Sequence, residues 1–441
     1  MPNIFLWPVR RWAIAIALTV VGWAWLPLLA TAQLSPLLRD LFLSDPEFAE
    51  PRDPLLPTLP VERPLSPLEK SALRDDLDAL ALEAEELLLA GQTELAFLAW
   101  MREVRLRRIL GVEAEIAAIQ RVGLRAWENS RATEIQLLTL RLRQIQTDLL
   151  SQTPLDIPLL EEVAVAFETL RDIDSAIAVY ETLIVRAAQA GDRAERQRLL
   201  ENLARLQESW FRFEVAGATY QSLIAGLGAQ GNDLKEVEYL KGAIRNYEDA
   251  GDLRTAIDFQ RRLLREYEQT AQPQPIPAVT LAIARNYRTL DNLTQARTFY
   301  MATYSVALSQ RQSDIASNAL QDLAEIYLAE GKSADVLYLY QQRLAVERLA
   351  YNGYGLLQTF DQLGQFYEAQ AEPEAAIAAY KEALIIADHL SYRDAYVQFR
   401  LQRLLYQQGR LTVTPLTRHQ SSRGGALVKP DPWEGNGQGR P

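Results

Sequence analysis

The sequence predicts an all-α solenoid of about eight helix-turn-helix repeats closed by a capping helix. Three observations carry that expectation. The 441-residue chain is self-similar at a period of 40 residues, each unit carries two apolar faces at helical spacing, and no stretch between 77 and 396 alternates as a strand would.

The clearest unit is LLQTFDQLGQFYEAQAEPEAAIAAYKEALIIADHL. It sets Phe360, Leu363, Gly364 and Tyr367 at i, i+3, i+4, i+7, then Ala376, Tyr380 and Ala383 at i, i+4, i+7, either side of a turn at Ala371-Glu372-Pro373. Steps of 40 carry the Ala376 position to Val336, Ala296, Ala256, Ala216, Ala176, Gln136 and Ala96. The Tyr380 position becomes Tyr340, Tyr300, Gln260, Tyr220, Tyr180, Leu140 and Trp100, and that of Tyr367 becomes Tyr327, Tyr287, Tyr247, Gln207, Phe167, Trp127 and Leu87. One helix pair cannot bury its own apolar face, whereas a stack builds a continuous core. The small column lets helices approach and the aromatic columns fill the space between neighbours, in one unbroken register. The first two units match worst. Glu83 and Glu103 in the first, and Gln120, Gly123 and Arg143 in the second, stand at expected apolar positions, as suits terminal units with a face in water.

Residues 1–32 read as a secretory signal peptide, with the basic pair Arg10-Arg11, an apolar run from Trp12 to Leu29 and the small-x-small site Ala30-Thr31-Ala32. The run is also long enough for an uncleaved anchor, which would keep the protein near a membrane. Either way the arginines stay cytoplasmic and the remainder is delivered outward, to a bacterial periplasm or an equivalent lumen. Residues 33–69 form a proline-rich linker. Pro51, Pro54, Pro57 and Pro60 recur at the pitch of a polyproline II helix, as a semi-rigid spacer or a docking edge for a proline-recognising groove. The repeats then occupy 70–396. The segment YVQFRLQRLLYQQG reads as the capping helix, placed at 397–411, with Arg400, Arg403 and Gln407 toward solvent. Residues 412–441 form a Gly-, Ser- and Pro-rich tail expected to be disordered, either a solubilising tail or a loose tether to an anionic surface.

Composition narrows the chemistry. Net charge is −11, and without Arg10 and Arg11 the chain carries 44 basic against 57 acidic residues, a balance that repels phosphate backbones and argues against nucleic acid. Cysteine is absent, which excludes disulfides, thiolate metal sites and a Cys nucleophile. The two histidines are His389, read as a partly exposed helix-end residue, and His419. No catalytic residue, cofactor or metal is therefore expected, and an enzyme is the remote alternative. The glycines of GLGAQG, Gly226, Gly228 and Gly231, have the spacing of a dinucleotide loop. The helical run Ala216, Tyr220, Leu223, Leu227 feeds them instead of a strand, and Gly231 shares its phase with Gly111 and Gly191, where a second helix ends in a left-handed cap. Around AYNGYG, Tyr338, Tyr340, Tyr351 and Tyr354 are assigned to core packing.

Phe360, Leu363, Gly364, Tyr367, Ala376, Tyr380 and Ala383 together resemble the tetratricopeptide repeat: large-x-x-Leu-Gly-x-x-Tyr, then Ala, an aromatic and Ala. The usual period of that family is about 34 residues, so this chain resembles a longer-unit variant, and it lacks the terminal Pro of most units. The resemblance implies a right-handed superhelix whose concave wall, lined by first helices, binds peptides or partner proteins. A carboxylate clamp of Lys, Asn and Arg known in part of the family is not reproduced, because Glu161 and Val165, followed by Asn202, stand at the corresponding places.

On that wall one column reads Arg125, Arg205, Arg245 and Arg285, with Glu85, Val165, Glu325 and Gln365 in the other units, and another reads Glu128, Glu168, Glu208, Glu248, Arg288 and Glu368. Arg125, Glu128, Arg205, Glu208, Arg245, Glu248, Arg285 and Arg288 are the candidate binding strip, with Arg forks for acidic groups or a carboxylate. The alternative is that Arg125–Glu128, Arg205–Glu208 and Arg245–Glu248 are i, i+3 pairs on solvated helices, with no Glu to neutralise Arg285 beside Arg288. The expected function is a non-enzymatic protein–protein interaction scaffold or assembly factor outside the cytoplasm. A structural envelope tether, with linker and tail making the contacts, is the second reading.

Overall fold

The computed structural model describes residues 34–46, 52–57, 63–227 and 233–410. The expected signal peptide, much of the proline-rich segment, Gly228, Gly231 and the tail lie outside those residues. Every regular element described is helical. After α1 (Pro36–Leu43), the first unit contains α2 (Pro67–Leu89) with α3 (Thr93–Arg107), α4 (Val112–Glu128) with α5 (Ala132–Leu150), α6 (Ile157–Thr169) with α7 (Ile173–Ala190), α8 (Arg193–Ser209) with α9 (Phe213–Gly226), and α10 (Asp233–Asp249). The boundary between two compact units falls at Ala256, within α11 (Leu253–Gln269). The second unit continues with α12 (Ile276–Thr289) and α13 (Leu293–Ser309), α14 (Ser313–Ala329) and α15 (Ser333–Leu349), α16 (Gly353–Ala369) and α17 (Pro373–Leu390), and ends in α18 (Asp394–Gln407). The protein is an all-α repeat solenoid.

A three-residue loop joins the helices of each pair, and its middle residue is left-handed every time, as at Gly91, Arg171, Phe211, Gly251, Asp291, Gly331 and Ala371. The next N–H bonds back to the column that holds Tyr367: Glu372 donates to the Tyr367 carbonyl at 2.9 Å, Lys332 to Tyr327 at 2.9 Å and Asp172 to Phe167 at 2.9 Å. That closure satisfies the last carbonyls of the first helix and turns the chain straight into the second. Three-residue connections leave no room for other than antiparallel neighbours.

The small column is fully buried. Ala96, Ala176, Ala216, Ala256, Ala296, Val336 and Ala376 are all 0% exposed. At Gly364 the approach is tighter still, since a Cβ there would lie 2.4 Å from Cε1 of Tyr380.

The register is not unbroken. In the second repeat both helices start one residue early, at 112 and 132, which moves Ile119, Val122, Gly123 and Ala126 into the places of Phe360, Leu363, Gly364 and Tyr367. All but the glycine are 0% exposed core residues, and a Cβ on Gly123 would meet Leu170 at 2.5 Å. The loop closure slips with them, as Arg131 donates to Ala126 at 2.8 Å. The mismatch at Gln120 and Gly123 is therefore a one-residue offset. Trp127, assigned to the core by the 40-residue step, is 42% exposed.

Glu103 is a second correction. It is fully buried, held by Arg107 at 2.5 Å and Arg121 at 2.5 Å. Beside it Glu115 is buried against Arg141, through a bidentate contact at 2.7 and 2.8 Å, and Arg108 at 2.8 Å. Acids at apolar positions here mark an interior ion-paired layer between the first two repeats, because guanidinium forks satisfy the carboxylates that burial strips of water. Burial pushes the Arg108 guanidinium down to about 10. Of the tyrosines assigned to packing, Tyr340 is buried, but Tyr338, Tyr351 and Tyr354 are exposed.

The segment before the first repeat is partly docked. Pro54 and Leu55 form a turn, Leu56 is buried against Leu73, Leu77 and Leu106, and Asp53 takes Arg102 at 2.6 and 2.8 Å. That guanidinium holds the Asp53 carboxyl below its ordinary value. No described helix is long and apolar enough to cross a membrane.

Candidate peptide-binding groove

First helices of neighbouring repeats face each other through their polar sides, and the expected Arg strip lies there. Its partners differ from those expected. Arg245 bonds Glu208 at 2.7 Å, and Glu208 also accepts from Asn246 at 2.6 Å. The Glu208 carboxylate raises the Arg245 guanidinium above its ordinary value. Arg285 meets Asp322 at 2.7 Å, and Arg288 meets Glu325 at 2.9 Å and Asp322 at 3.8 Å, so acids of the next repeat neutralise both arginines. Arg198 bonds Glu161 at 2.5 and 3.0 Å.

Arg198–Glu161, Arg245–Glu208, Arg285–Asp322 and Arg288–Glu325 share a spacing of 37 residues, three short of the repeat period. A residue therefore meets the side chain one helical turn before its own equivalent in the next repeat. Of the three expected i, i+3 pairs, Arg125–Glu128 forms, at 3.0 Å, and Arg125 also bonds Glu85 at 3.0 Å. Arg205 donates to Asn202, while Glu208 belongs to Arg245. Glu248 is partly buried in the last turn of α10.

In the first unit the face opens into a cleft of about 790 Å³ between α4, α6 and α8. Gln120 lines it from α4, Glu161, Glu162, Val165 and Glu168 from α6, and Asn202 and Arg205 from α8. The three residues standing where a clamp would be are thus brought together with Arg205, but the charge is reversed: Glu161 is taken by Arg198, and the carboxylates of Glu162 and Glu168 have no partner among the described residues. Tyr180 closes the floor, its phenol raised by burial, with Glu161 and Glu168 adding to the shift. Val165, 46% exposed, gives the cleft an apolar step. Such a wall suits an extended segment that offers N–H or cationic groups to Glu162 and Glu168 and an acceptor to Arg205.

The column of arginines pointed to this face, and reading it along one helix missed the acids of the next. The glycine stretch sorts as expected where it is described: α9 runs through Gly226 and Leu227 caps it, so a helix leads in. Gly191 ends α7 in the left-handed region at φ 72°, and Gly111 has φ 125°.

Helix pairs in register, left-handed closures and a groove lined by first helices define a helical-repeat protein. Residues 357–387 match the family model described as Tetratricopeptide repeat, and helix pairs joined by the same three-residue loop recur through both units. The stretch 357–387 is a tetratricopeptide repeat. No curated protein matches the chain. Among solved structures it is similar to BtubC from P. vanneervenii, at 15% identity and TM-score 0.35 over 58% of this chain and 97% of that one. MamA matches at 16% identity and TM-score 0.32, over 44% and 93%. Aspartyl phosphate phosphatase F from Bacillus subtilis matches at 12% identity and TM-score 0.38, over 65% and 78%. Likenesses this distant concern the helical-repeat fold alone.

Proposed function

We propose that the protein is a non-enzymatic scaffold that acts outside the cytoplasm and grips an extended segment of a partner protein in the first-helix groove. The carrying observation is the cleft between α4, α6 and α8, where three successive repeats converge and two carboxylates stay unneutralised. A ligand segment with a basic side chain would pair with Glu162 or Glu168 and lie across Val165, while Arg205 takes a carbonyl or carboxylate. Export rests on the sequence of residues 1–32.

Both halves are testable. The full chain expressed in a bacterial host should yield a mature N-terminus at Gln33 and fractionate outside the cytoplasm; a cytoplasmic, unprocessed chain refutes export. A partner captured from an extracytoplasmic fraction should be lost by Val165→Arg and by Glu168→Arg, each with unchanged circular dichroism. Retention by both variants refutes the groove.

A further inference from the structure

A second cavity lies away from the groove, on the second-helix side of the first two repeats. It measures about 430 Å³ and is bounded by α1, Asp53, α3 and α5. Its walls are apolar, with Leu41, Phe42, Phe97, Leu98, Met101 and Leu137 among them, and its mouth is lipophilic, since Leu41 and Leu98 stand more than half exposed. Three guanidinium groups line it, those of Arg102 and Arg105 on the C-terminal half of α3 and that of Arg131 toward the N-terminal half, over the Phe97 ring at 5.1 Å. Arg102 is engaged by Asp53 at 2.6 Å, and Arg131 by Glu134 at 2.6 Å and by Glu94. Arg105 has no carboxylate on it among the described residues: its Nη2 donates to Ser44 Oγ at 2.9 Å. The Nε atoms of Arg105 and Arg131 are both buried without an acceptor.

A buried N–H without a partner is costly, and a guanidinium at the end of an apolar cavity calls for an anionic oxygen. The volume falls in the range of small-molecule sites, about 300–1,000 Å³. We propose that this cavity binds a single-chain amphiphile with a carboxylate head, of the fatty-acid class, its head on Arg105 and its chain along Leu41, Phe97 and Met101. Charge and shape agree on that occupant. An apolar peptide side chain leaves the Arg105 Nε–H unmet, and a soluble dicarboxylate leaves the leucines in water.

The test is calorimetric titration of the full chain with dodecanoate below its micellar concentration. Wild type should bind one equivalent. Arg105→Gln should weaken binding at least tenfold, Arg105→Lys should retain most of it, and Leu98→Asp should weaken it from the other end of the cavity. Leu37→Asp, a change on α1 outside the lining, should leave it unaltered. Methyl dodecanoate and dodecylphosphocholine should bind at least tenfold more weakly than the acid, since neither presents a free carboxylate. Arg105→Gln binding as wild type while folded by circular dichroism, or the ester binding as tightly as the acid, overturns the proposal.

Discussion

Glu115→Ala should be among the most damaging single changes in the first unit. Glu115 is 1% exposed, and its two oxygens receive three N–H bonds, from Arg108 Nε, Arg141 Nε and Arg141 Nη2, at 2.7–2.8 Å. Removing it leaves the Arg108 side chain, 9% exposed, and that of Arg141, 18% exposed, without their carboxylate. Orphaning a buried pair costs about 3–5 kcal/mol, against about 0–1 kcal/mol for an exposed one. Arg125→Ala, on the same helix and 38% exposed, supplies the comparison. In a solenoid such losses are felt first at the neighbouring repeat interface, so native-state hydrogen exchange is the assay. At 1.4 kcal/mol per factor of ten, amides of α4 and α5 should exchange roughly a hundredfold or more faster in Glu115→Ala, and less than tenfold faster in Arg125→Ala. Equal protection in the two variants would mean that Arg108 and Arg141 swing out to water at little cost, and would refute the reasoning.

Three further outcomes follow from the same geometry. Tyr351 is 95% exposed and left-handed at φ 53°, a conformation that costs a non-glycine residue about 1–2 kcal/mol; Tyr351→Gly should therefore raise the unfolding free energy measured in urea by about 0.5–1 kcal/mol after the entropy glycine adds to the unfolded chain. Burial raises the Asp361 carboxyl above 3.8, and its Oδ1 is buried without a partner. A folded value above the unfolded one means stability is fullest below pH 3.8 and declines as pH rises through the folded value, so Asp361→Asn should melt higher than wild type at pH 7 and show little advantage at pH 3. Arg245→Glu sets two acids against each other across repeats and should cost about 1 kcal/mol, recovered by adding Glu208→Arg; if the swap restores stability and partner capture stays weak, the strip binds as well as stitches, and capture unaffected by either change limits it to stitching.

The parts of this protein that were legible are those set by local spacing. Ala376 and its equivalents, the left-handed end at Gly191 and the helical entry to Gly226 follow from period and turn chemistry alone, whereas Gly111, at φ 125° and ψ 166°, leaves its turn extended. What stayed hidden depends on residues that meet through space. Glu103 looked like a solvent-facing end because its i, i+4 partner Arg107 is what an exposed helix also offers, while its second partner Arg121 is 18 residues away. The Arg245–Glu208 bridge was within reach, however. A 40-residue period places equivalent residues of neighbouring first helices side by side, and one helical turn back from the equivalent is 37 residues. A step of 37 residues pairs Arg245 with Glu208, Arg285 with Asp322 and Arg288 with Glu325. It also pairs Glu168 with Arg205, where the structure instead gives Arg205 to Asn202 and leaves Glu168 facing the cleft. Glu162 and Glu168, left unstitched while Glu161 and Glu208 are taken, are where an incoming charge meets the least competition, which is the physical reason to look for the partner between α4, α6 and α8.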